Sequence, residues 1–453
     1  MRLRRDLVYL TVLAVLTAYF LIWPIWRAQF LLEIWFTEAW NSYYQDAAAA
    51  GLRLYPTADQ LIVNNYPPLS FYAIGYLGKL FGSSLFVGRA LSILAVVGVG
   101  VEIYLAVRIM VGSAIGGAVG ALWYVAFMAR SLTTYIGVND PQLAGEAMMG
   151  AALVWFLARD KAGKSAEPAL LLMVIAGFWK HNIIAIPLTA ILWLVIRDWR
   201  RALRPVVLSG MAAVAGLVGC FAIFGPEFLQ NLLTPREYAW AHVVGHLGHL
   251  QWIALAFFIW AAWAWSDRHG VAARFTTLFV ALGLFACILQ WFGDGVFRNA
   301  EFDLVIALGI GIGVAFARME TSAMATWIGV GPTRDLMIAA LVLRLLVSER
   351  QESALVVLSP EFRASFGAGQ QRSLDAAAQI AAIPGLVYCE GNNLLCRLAH
   401  KPFAVDDFKT AELVATGRIS PQGLLALLRE RQITVFKAPE GTRAADIPIP
   451  RLF

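Results

Sequence analysis

Charged residues are scarce in this sequence of 453 residues, since only 15% are Asp, Glu, Lys or Arg. A soluble domain of ordinary composition carries about 25% charged residues. Hydrophobic residues make up 59% of the chain, and its 27 Phe and 16 Trp are too many for one water-soluble core. These proportions exclude an ordinary cytosolic enzyme, a disordered chain and a nucleic-acid-binding domain. The composition is typical of an integral membrane protein.

Several functional signatures are also missing. The sequence has no repeat of 20–50 residues, no low-complexity tract and no Asp-x-Asp pair, for which Glu301-Phe-Asp303 is the nearest substitute. Gly163-Lys164-Ser165 looks like the end of a phosphate-binding loop, but Ala158 stands where that loop requires its first glycine. The sequence therefore predicts no nucleotide-binding site.

Apolar stretches along the chain are long enough, or nearly so, to cross a bilayer as helices. We predict about eleven spans: Leu7–Trp26 and approximately 85–107, 113–130, 141–158, 168–180, 182–196, 205–224, 250–266, 274–292, 303–317 and 335–348. Phe178–Asn182 interrupts what would otherwise be one long segment, which makes two spans short. No small-residue cleavage site closes the first stretch, so we expect an uncleaved span there.

The basic residues indicate the orientation of these spans. With eleven crossings most Lys and Arg of the short loops fall on one side, which the positive-inside rule makes cytoplasmic. These residues are Arg2, Arg4, Arg5, Arg108, Arg159, Lys161, Lys164, Arg197, Arg200, Arg201, Arg204, Arg268, Arg274, Arg318 and Arg334. The net charge of +6 is thus a topology signal rather than a polyanion-binding patch. We expect a multi-pass protein of the inner (plasma) membrane with a cytoplasmic N-terminus.

Charged residues become more frequent after the last span. We divide the chain into a membrane-spanning domain, residues 1–348, and a small α/β domain, residues 349–453, on the periplasmic or outer face. The predicted strands of this domain are Ser353–Ser359, Gly385–Cys389 and Ile433–Lys437, and its predicted helices are Gln370–Ile380 and Pro421–Arg431. Cys389 and Cys396 lie in an oxidising compartment in this topology, and whether they form a disulfide is left open.

The first outer loop, about 30–84, is long and rich in aromatic residues. Glu38 opens an aromatic segment, either as a helix-start acid favoured by the helix dipole or as a functional carboxylate. Asn65 and Tyr66 precede Pro67-Pro68 and place polar groups in the same aromatic setting. This loop is the first candidate for a binding surface.

Other outer loops contribute further polar residues. Asp140 is either a plain helix cap before Pro141 or a second carboxylate on the face of Glu38. Lys180 and His181 separate two short spans, where an ionisable residue indicates function and snorkelling of the lysine is the alternative.

The fourth and fifth outer loops add cations and imidazoles. Arg236 precedes His242, His246 and His249, whose spacings of four and three place them on one helix face. Hydrogen bonding to a phosphate or sugar, interfacial packing and, with Glu237, a metal site are the alternatives for this row. Arg298 follows in the last outer loop, and we predict no metal ligand set. No span carries paired charges at its centre, as ion-coupled carriers usually do.

These residues together favour an aromatic-lined cavity at the outer face for a lipid-linked polar substrate. The segments Glu38-Ala-Trp-Asn, Tyr66-Pro-Pro-Leu, Asn139-Asp140 and Lys180-His181 occur in the order of the GT-C superfamily of polyprenyl-phosphate-sugar glycosyltransferases, which the chain resembles. Within it, the chain looks like the branch of protein O-mannosyltransferases and lipid A aminoarabinose transferases. The resemblance covers most of residues 1–348 and implies a mainly α, polytopic helical bundle with a small extramembrane domain.

The resemblance also implies a mechanism, an inverting single displacement from a polyprenyl-phosphate sugar to an acceptor hydroxyl. Glu38 takes the place of the catalytic carboxylate, with Asp140 as a second acid, although Thr37 breaks the usual acidic pair. Tyr66 replaces a lysine that contacts the donor phosphate in the family. The candidates for binding the phosphate or substrate are Lys180, His181, Arg236, Arg298, Asn65, Tyr66, His242 and His246.

The expected partners are the polyprenyl-phosphate sugar donor, a lipid, glycan or protein acceptor, and the membrane, with no nucleic acid. No cofactor is predicted, although the clustered His residues keep a metal requirement open. A flippase or transporter of lipid-linked sugars and a non-catalytic assembly partner are the alternative functions.

Overall fold

The structure, a computed structural model, describes residues 2–347 and 351–450 and consists mainly of α-helices. We call residues 2–347 the membrane part and residues 351–450 the C-terminal part. The helices of the membrane part are α1 (Arg2–Arg27), α2 (Thr37–Ala49), α3 (Leu69–Phe81), α4 (Ser84–Val111), α5 (Ala114–Ser131), α6 (Gln142–Lys161), α7 (Glu167–Trp179), α8 (Ala185–Phe224), α9 (Pro226–Leu232), α10 (Trp240–Leu247), α11 (Gln251–Ser266), α12 (Val271–Trp291), α13 (Phe302–Ala317), α14 (Ala323–Ile328) and α15 (Val330–Leu346).

The membrane part is the predicted polytopic helical bundle. Among the described residues, seven helical stretches are long and apolar enough to cross a membrane, one of which joins α10 to α11. The 13-residue α7 is a shorter apolar helix. The predicted interruption before Asn182 is confirmed, because α7 ends at Trp179 and α8 begins at Ala185.

Helix α8 combines two of the predicted spans in 40 residues. Its backbone becomes extended at Asp198, with φ −161° and ψ 94°, which divides the helix into two parts. The Asp198 carboxylate accepts hydrogen bonds from the backbone N–H groups of Arg200 and Arg201, so it caps the second part. The basic loop predicted between the spans is therefore this kink.

The centre of the bundle is α13, whose side chains are almost all buried. It packs tightly against α5 because glycines face each other across the interface: a Cβ on Gly120 would lie 2.3 Å from the backbone oxygen of Gly309. Small residues four apart allow this close backbone approach between membrane helices. The core helices thereby hold the loops at the two ends of the bundle in fixed positions.

Two buried carboxyl groups lie near each other inside the bundle, a pairing that the sequence does not predict. Glu146 of α6 and Asp303 of α13 are 1% and 4% exposed and are close enough to interact electrostatically. Glu146 accepts a bond of 2.9 Å from the Gln142 amide, and Asp303 accepts one of 2.8 Å from the backbone N–H of Ala185. The pair therefore joins α6 and α13 to the start of α8.

The C-terminal part has two parallel strands and five helices. The helices are α16 (Glu352–Leu358), α17 (Pro360–Ala382), α18 (Asn393–Leu398), α19 (Asp407–Ala415) and α20 (Pro421–Glu430), and the strands are β1 (Val387–Glu390) and β2 (Thr434–Lys437). Val387 pairs with Thr434 and Glu390 with Lys437 at the two ends of the ladder. A disulfide joins Cys389 of β1 to Cys396 of α18, which answers the question that the sequence leaves open.

Most predicted elements of the C-terminal part are confirmed, but the first predicted strand is wrong. Residues 353–359 lie almost entirely in the helix α16. The buried residues of this helix are Glu352, Ser353, Leu355 and Val356, a spacing that defines one face of a helix rather than the alternation of a strand. That face packs against α1 beside Trp23, so contact with the membrane part determines the local structure.

Candidate active site

A cleft lies where the membrane part meets the C-terminal part. It encloses about 760 Å³ of empty space, partly open to solvent. Aromatic rings form much of its wall, contributed by Trp35, Phe36, Trp40, Tyr66, Tyr135, Phe297, Phe403 and Phe408. The polar side chains on the wall are Thr37, Asn65, Asp140, Arg236, Asn299, Asn393, Asp406 and Asp407. A concave site with aromatic walls and a few convergent polar groups is typical of a ligand-binding site.

Asp140 is the carboxylate at the membrane side of the cleft. Its Oδ1 accepts a bond of 2.8 Å from the backbone N–H of Gln142, and its Oδ2 accepts one of 3.3 Å from the Thr37 hydroxyl. The first bond caps the start of α6, so Asp140 is both the helix cap and a cleft residue. Asp140 is 8% exposed, and its hydrogen bonds to α6 and α2 hold the carboxylate in place.

Lys180 supplies a positive charge next to this carboxylate. It follows α7 directly, its Nζ lies 4.0 Å from Asp140 Oδ1, and its side chain is 2% exposed. The ammonium also lies over the Tyr66 ring, 3.2 Å from the ring centroid. Burial lowers the pKa of Lys180 to about 8, an effect that Asp140 opposes. Lys180 thus lies beside position 66, where the resemblance implies a lysine.

Three predicted residues, Asn65, Tyr66 and His181, lie near Asp140 and Lys180. Asn65 and Tyr66 both line the cleft. The His181 ring contacts Tyr66 edge-on, with 6.3 Å between the ring centroids. The structure therefore brings residues of the first and third predicted outer loops to one place.

Arg236 is a cation on the wall of the cleft. It belongs to the segment between α9 and α10, and its guanidinium lies over the Phe408 ring, 5.1 Å from the centroid. The neighbouring Glu237 donates its backbone N–H to Glu412 of α19, at 2.9 Å. Contacts with the C-terminal part thus hold Arg236 in the cleft.

Glu38, the predicted base, does not line the cleft. Its side chain is fully buried and forms an ion pair with Arg89 of α4, with N···O distances of 2.7 and 2.8 Å. It also accepts backbone hydrogen bonds from Ile34 and Asn139. Both carboxylate oxygens of Glu38 are thus occupied by partners inside the protein, whereas Asp140 lines the cleft.

The remaining predicted residues lie outside the cleft wall. Arg298 pairs with Glu301, with N···O distances of 2.8 and 2.9 Å. His242 contacts the backbone oxygen of Phe292, and His246 stacks on Trp291. These contacts agree with the packing alternative for the His row. Within residues 2–347 and 351–450, no group of three or more His, Cys, Asp or Glu side chains is placed to hold a metal ion.

Sequence reasoning did not identify several cleft residues, five of which belong to the C-terminal part. Phe403, Asp406, Asp407 and Phe408 form one segment of the wall. Asp406 is 4% exposed, accepts a bond of 3.0 Å from the indole of Trp40, and has a pKa that burial raises to about 7. The only local signal is the Asp-Asp pair at the start of a helix, which by itself indicates a cap.

The helical membrane bundle with this cleft at one end is similar to known proteins in sequence and in fold. Residues 65–227 match the family model of dolichyl-phosphate-mannose-protein mannosyltransferase. The fold is similar to that of ArnT from Cupriavidus metallidurans bound to undecaprenyl phosphate, with a TM-score of 0.59 and 15% identity over 97% of this chain and 99% of that chain. The sequence match covers a portion of the membrane part, and the structural match extends over almost the whole chain and shows a similar fold.

Two further solved structures are similar. ArnT from Cupriavidus metallidurans in the apo state has a TM-score of 0.57 and 15% identity, and the match covers 90% of this chain and 88% of that chain. An Archaeoglobus fulgidus oligosaccharyltransferase tethered to an acceptor peptide has a TM-score of 0.46 and 11% identity, over 88% and 64%. A search of curated proteins with the sequence finds no significant match.

Proposed function

We propose that the protein transfers a sugar from a polyprenyl-phosphate donor to an acceptor hydroxyl in this cleft. The observation that carries the proposal is the grouping of Asp140, Lys180 and Arg236 around an aromatic cleft at one end of a membrane bundle. The undecaprenyl phosphate bound to the similar ArnT structure supports a lipid phosphate as the carrier. The C-terminal part, and with it the cleft, then faces the periplasm or cell exterior.

Two cations are available for the donor phosphate. Arg236 is close enough to Lys180 to lower the pKa of the lysine. Negative charge develops on the phosphate oxygen as the sugar leaves, and fixed cations in a poorly solvated site stabilise such charge strongly. A phosphate is already a competent leaving group, so no general acid is required for this step.

Asp140 is the proposed general base. The acceptor oxygen attacks the anomeric carbon, and the bond between that carbon and the phosphate oxygen breaks. The lipid phosphate departs with the electron pair, and the hydroxyl proton passes to the Asp140 carboxylate. Thr37 and the start of α6 hold the carboxylate by hydrogen bonds. Since the acceptor attacks the face opposite the phosphate, the anomeric configuration inverts.

The variant Asp140→Asn tests this assignment. We expect turnover to fall by about 10²–10⁴-fold, the usual contribution of a general base, while the asparagine oxygen still caps α6. The measurement is transfer of radiolabelled sugar from a polyprenyl-phosphate donor by purified protein in detergent. Detergent also separates the alternatives, because transfer requires no sealed membrane whereas transport does.

Asp59→Asn is the matched control, since Asp59 is an exposed acid in the segment between α2 and α3, outside the cleft wall. Full turnover by Asp140→Asn would refute the base assignment. Failure of the wild-type protein to bind undecaprenyl phosphate or to transfer any sugar from such donors would refute the function.

A further inference from the structure

We propose that segment 403–408, with Asn393, forms the carbohydrate-binding wall of the cleft. The inference rests on the proposed glycosyl transfer and extends it, because it assigns substrate selection to the C-terminal part. The ligand is a sugar ring with its hydroxyl groups, which either the donor sugar or a glycan acceptor supplies.

The segment is fixed to the membrane part by backbone and side-chain contacts. Val405 pairs with Leu61 in a single bridge, and the backbone N–H of Asp406 donates to the Leu61 oxygen at 2.9 Å. The indole N–H of Trp40 lies 3.0 Å from Asp406 Oδ2. These contacts hold segment 403–408 against the membrane part, so the segment is an integral part of the cleft wall.

The aromatic residues of the segment present ring faces to a ligand. Phe403 stacks on Tyr43, with 4.8 Å between centroids and an angle of 13° between the planes, and both Phe403 and Phe408 line the cleft while remaining partly exposed. Packing on one side fixes such a ring and leaves the other side available. The C–H face of a sugar is apolar and fits against a rigid aromatic ring.

Polar groups stand beside these rings. The Asp407 carboxylate accepts hydrogen bonds from the Tyr388 hydroxyl and, at 3.1 Å, from the amide of Asn393. Each carboxylate oxygen has two acceptor positions, so Asp407 retains capacity for ligand hydroxyls. The Asn393 amide adds a donor and an acceptor at the same edge of the cleft. Fixed acceptors and donors next to ring faces suit a rim of hydroxyl groups.

The position of the cations connects this wall to the reaction. Arg236, a proposed phosphate ligand, lies over the Phe408 ring. In a polyprenyl-phosphate sugar the ring is joined directly to a phosphate oxygen. A phosphate bound by Arg236 therefore brings the sugar next to Phe408 and the rest of the segment.

The test compares lipids with and without a sugar. The probes are undecaprenyl phosphate and its glucose and mannose derivatives, and the variants are Phe403→Ala and Asn393→Ala. We expect affinity for undecaprenyl phosphate to stay within twofold of the wild type and affinity for at least one sugar-bearing lipid to fall tenfold or more. Glu430→Gln, an exposed residue of α20, is the control. Phe403→Leu retains bulk and serves if the alanine variant does not fold.

A second arm identifies the source of the sugar. In a second outcome, the variants bind undecaprenyl phosphate and its two sugar derivatives as the wild type does, while their KM for a glycan acceptor rises tenfold. In that case the wall binds the acceptor, which also supports the proposal. Unchanged donor affinity together with an unchanged acceptor KM would overturn it. These outcomes are separate from a failure of the proposed function, in which the wild-type protein itself binds no undecaprenyl phosphate.

Discussion

Lys180 carries its charge at a position where burial opposes it. The side chain is 2% exposed, and desolvation lowers its pKa to about 8, with Asp140 favouring the charged form and Arg236 opposing it. The ammonium is therefore present below pH 8 and is lost as the pH rises through 8. A phosphate-binding role makes the enzyme dependent on this charge.

We expect kcat/KM for the lipid donor to decrease above pH 8, approaching about tenfold per pH unit, because kcat/KM reports titration of the free enzyme. In Lys180→Arg this alkaline limb should move beyond the measured range, since a guanidinium keeps its charge. Lys180→Met should lose most activity at every pH, and Lys164→Met, an exposed lysine between α6 and α7, should behave as the wild type. An alkaline limb identical in the wild type and Lys180→Arg would contradict the role.

The Glu38–Arg89 ion pair is buried, and we expect it to stabilise the fold. Breaking a buried ion pair leaves an unpaired charge and costs about 3–5 kcal/mol of stability. We expect Glu38→Gln and Arg89→Met each to lower the free energy of unfolding by an amount of this order, measured by denaturation in detergent. The double variant Glu38→Leu with Arg89→Met should lose less than the sum of the single changes. A Glu38→Gln protein with normal stability and no turnover would instead restore Glu38 as the base.

The residues near Asp140 show what the sequence can and cannot predict at this scale. Position and residue type made Asp140, Lys180 and Arg236 candidates, because polar groups in otherwise apolar surroundings are conspicuous. They did not distinguish Glu38 from Asp140, since both read as acids at the start of a helix. The difference depends on Arg89, which is 51 positions away from Glu38 and becomes its partner only in the folded chain.

At the scale of elements, a close contact between α19 and the loop after α12 shapes the cleft. A Cβ at Gly295 would lie 2.6 Å from the Phe408 ring, and Gly295 has a φ of +68°. Gly163, between α6 and α7, has nearly the same φ of +65°, with no atom within 4 Å of a built Cβ. Substitutions at the two positions can therefore distinguish the effect of backbone strain, which both share, from the effect of a clash with Phe408, which only Gly295 would have.

We expect Gly163→Ala and Gly295→Ala each to lose about 1 kcal/mol of stability because both residues have left-handed backbone conformations. Only Gly295→Ala should also lower sugar transfer, because the methyl group displaces Phe408 and with it the segment that faces Arg236. Thermal unfolding and radiolabelled transfer measure the two effects. Equal activity of the two variants would show that the position of Phe408 is unimportant for the reaction.

Helices and strands were predictable where one environment dominates an element. The long apolar helices and the strands β1 and β2 follow from hydropathy and from short β-branched runs. The helix over residues 353–359 was not predictable, because Leu355 and Val356 favour a strand locally while burial against α1 selects a helix. Tertiary contact overrides intrinsic preference there.

At the scale of the whole molecule, the cleft depends on two parts of the chain that the sequence separates. Hydropathy predicts the bundle and the approximate position where the apolar spans end. It carries no information about the docking of the C-terminal part, because the contact of Val405 with Leu61 joins residues far apart in sequence. Segment 403–408 therefore became visible as a cleft wall only in the structure.

Asp406 makes the contact between the two parts sensitive to pH. Burial raises its pKa to about 7, the backbone N–H groups of Lys409 and Phe408 oppose the rise, and Asp407 adds to it. In an unfolded chain the pKa of an Asp is about 3.9. The folded state thus binds the proton more tightly, so this contribution to stability is full below about pH 4 and is lost as the pH rises through about 7.

We therefore expect Asp406→Asn to flatten the dependence of Tm on pH between 4 and 8, whatever its effect on Tm at a single pH. An asparagine oxygen still caps α19, but the amide does not titrate. The measurement is the slope of Tm against pH, followed by intrinsic fluorescence in detergent and compared between variant and wild type. Asp375→Asn, at an exposed position of α17, should keep the wild-type slope. Equal slopes for Asp406→Asn and the wild type would show that Asp406 does not set the pH response. A flattened slope would mean that ionisation of Asp406, which contacts Trp40 and Leu61 of the membrane part, destabilises the folded protein.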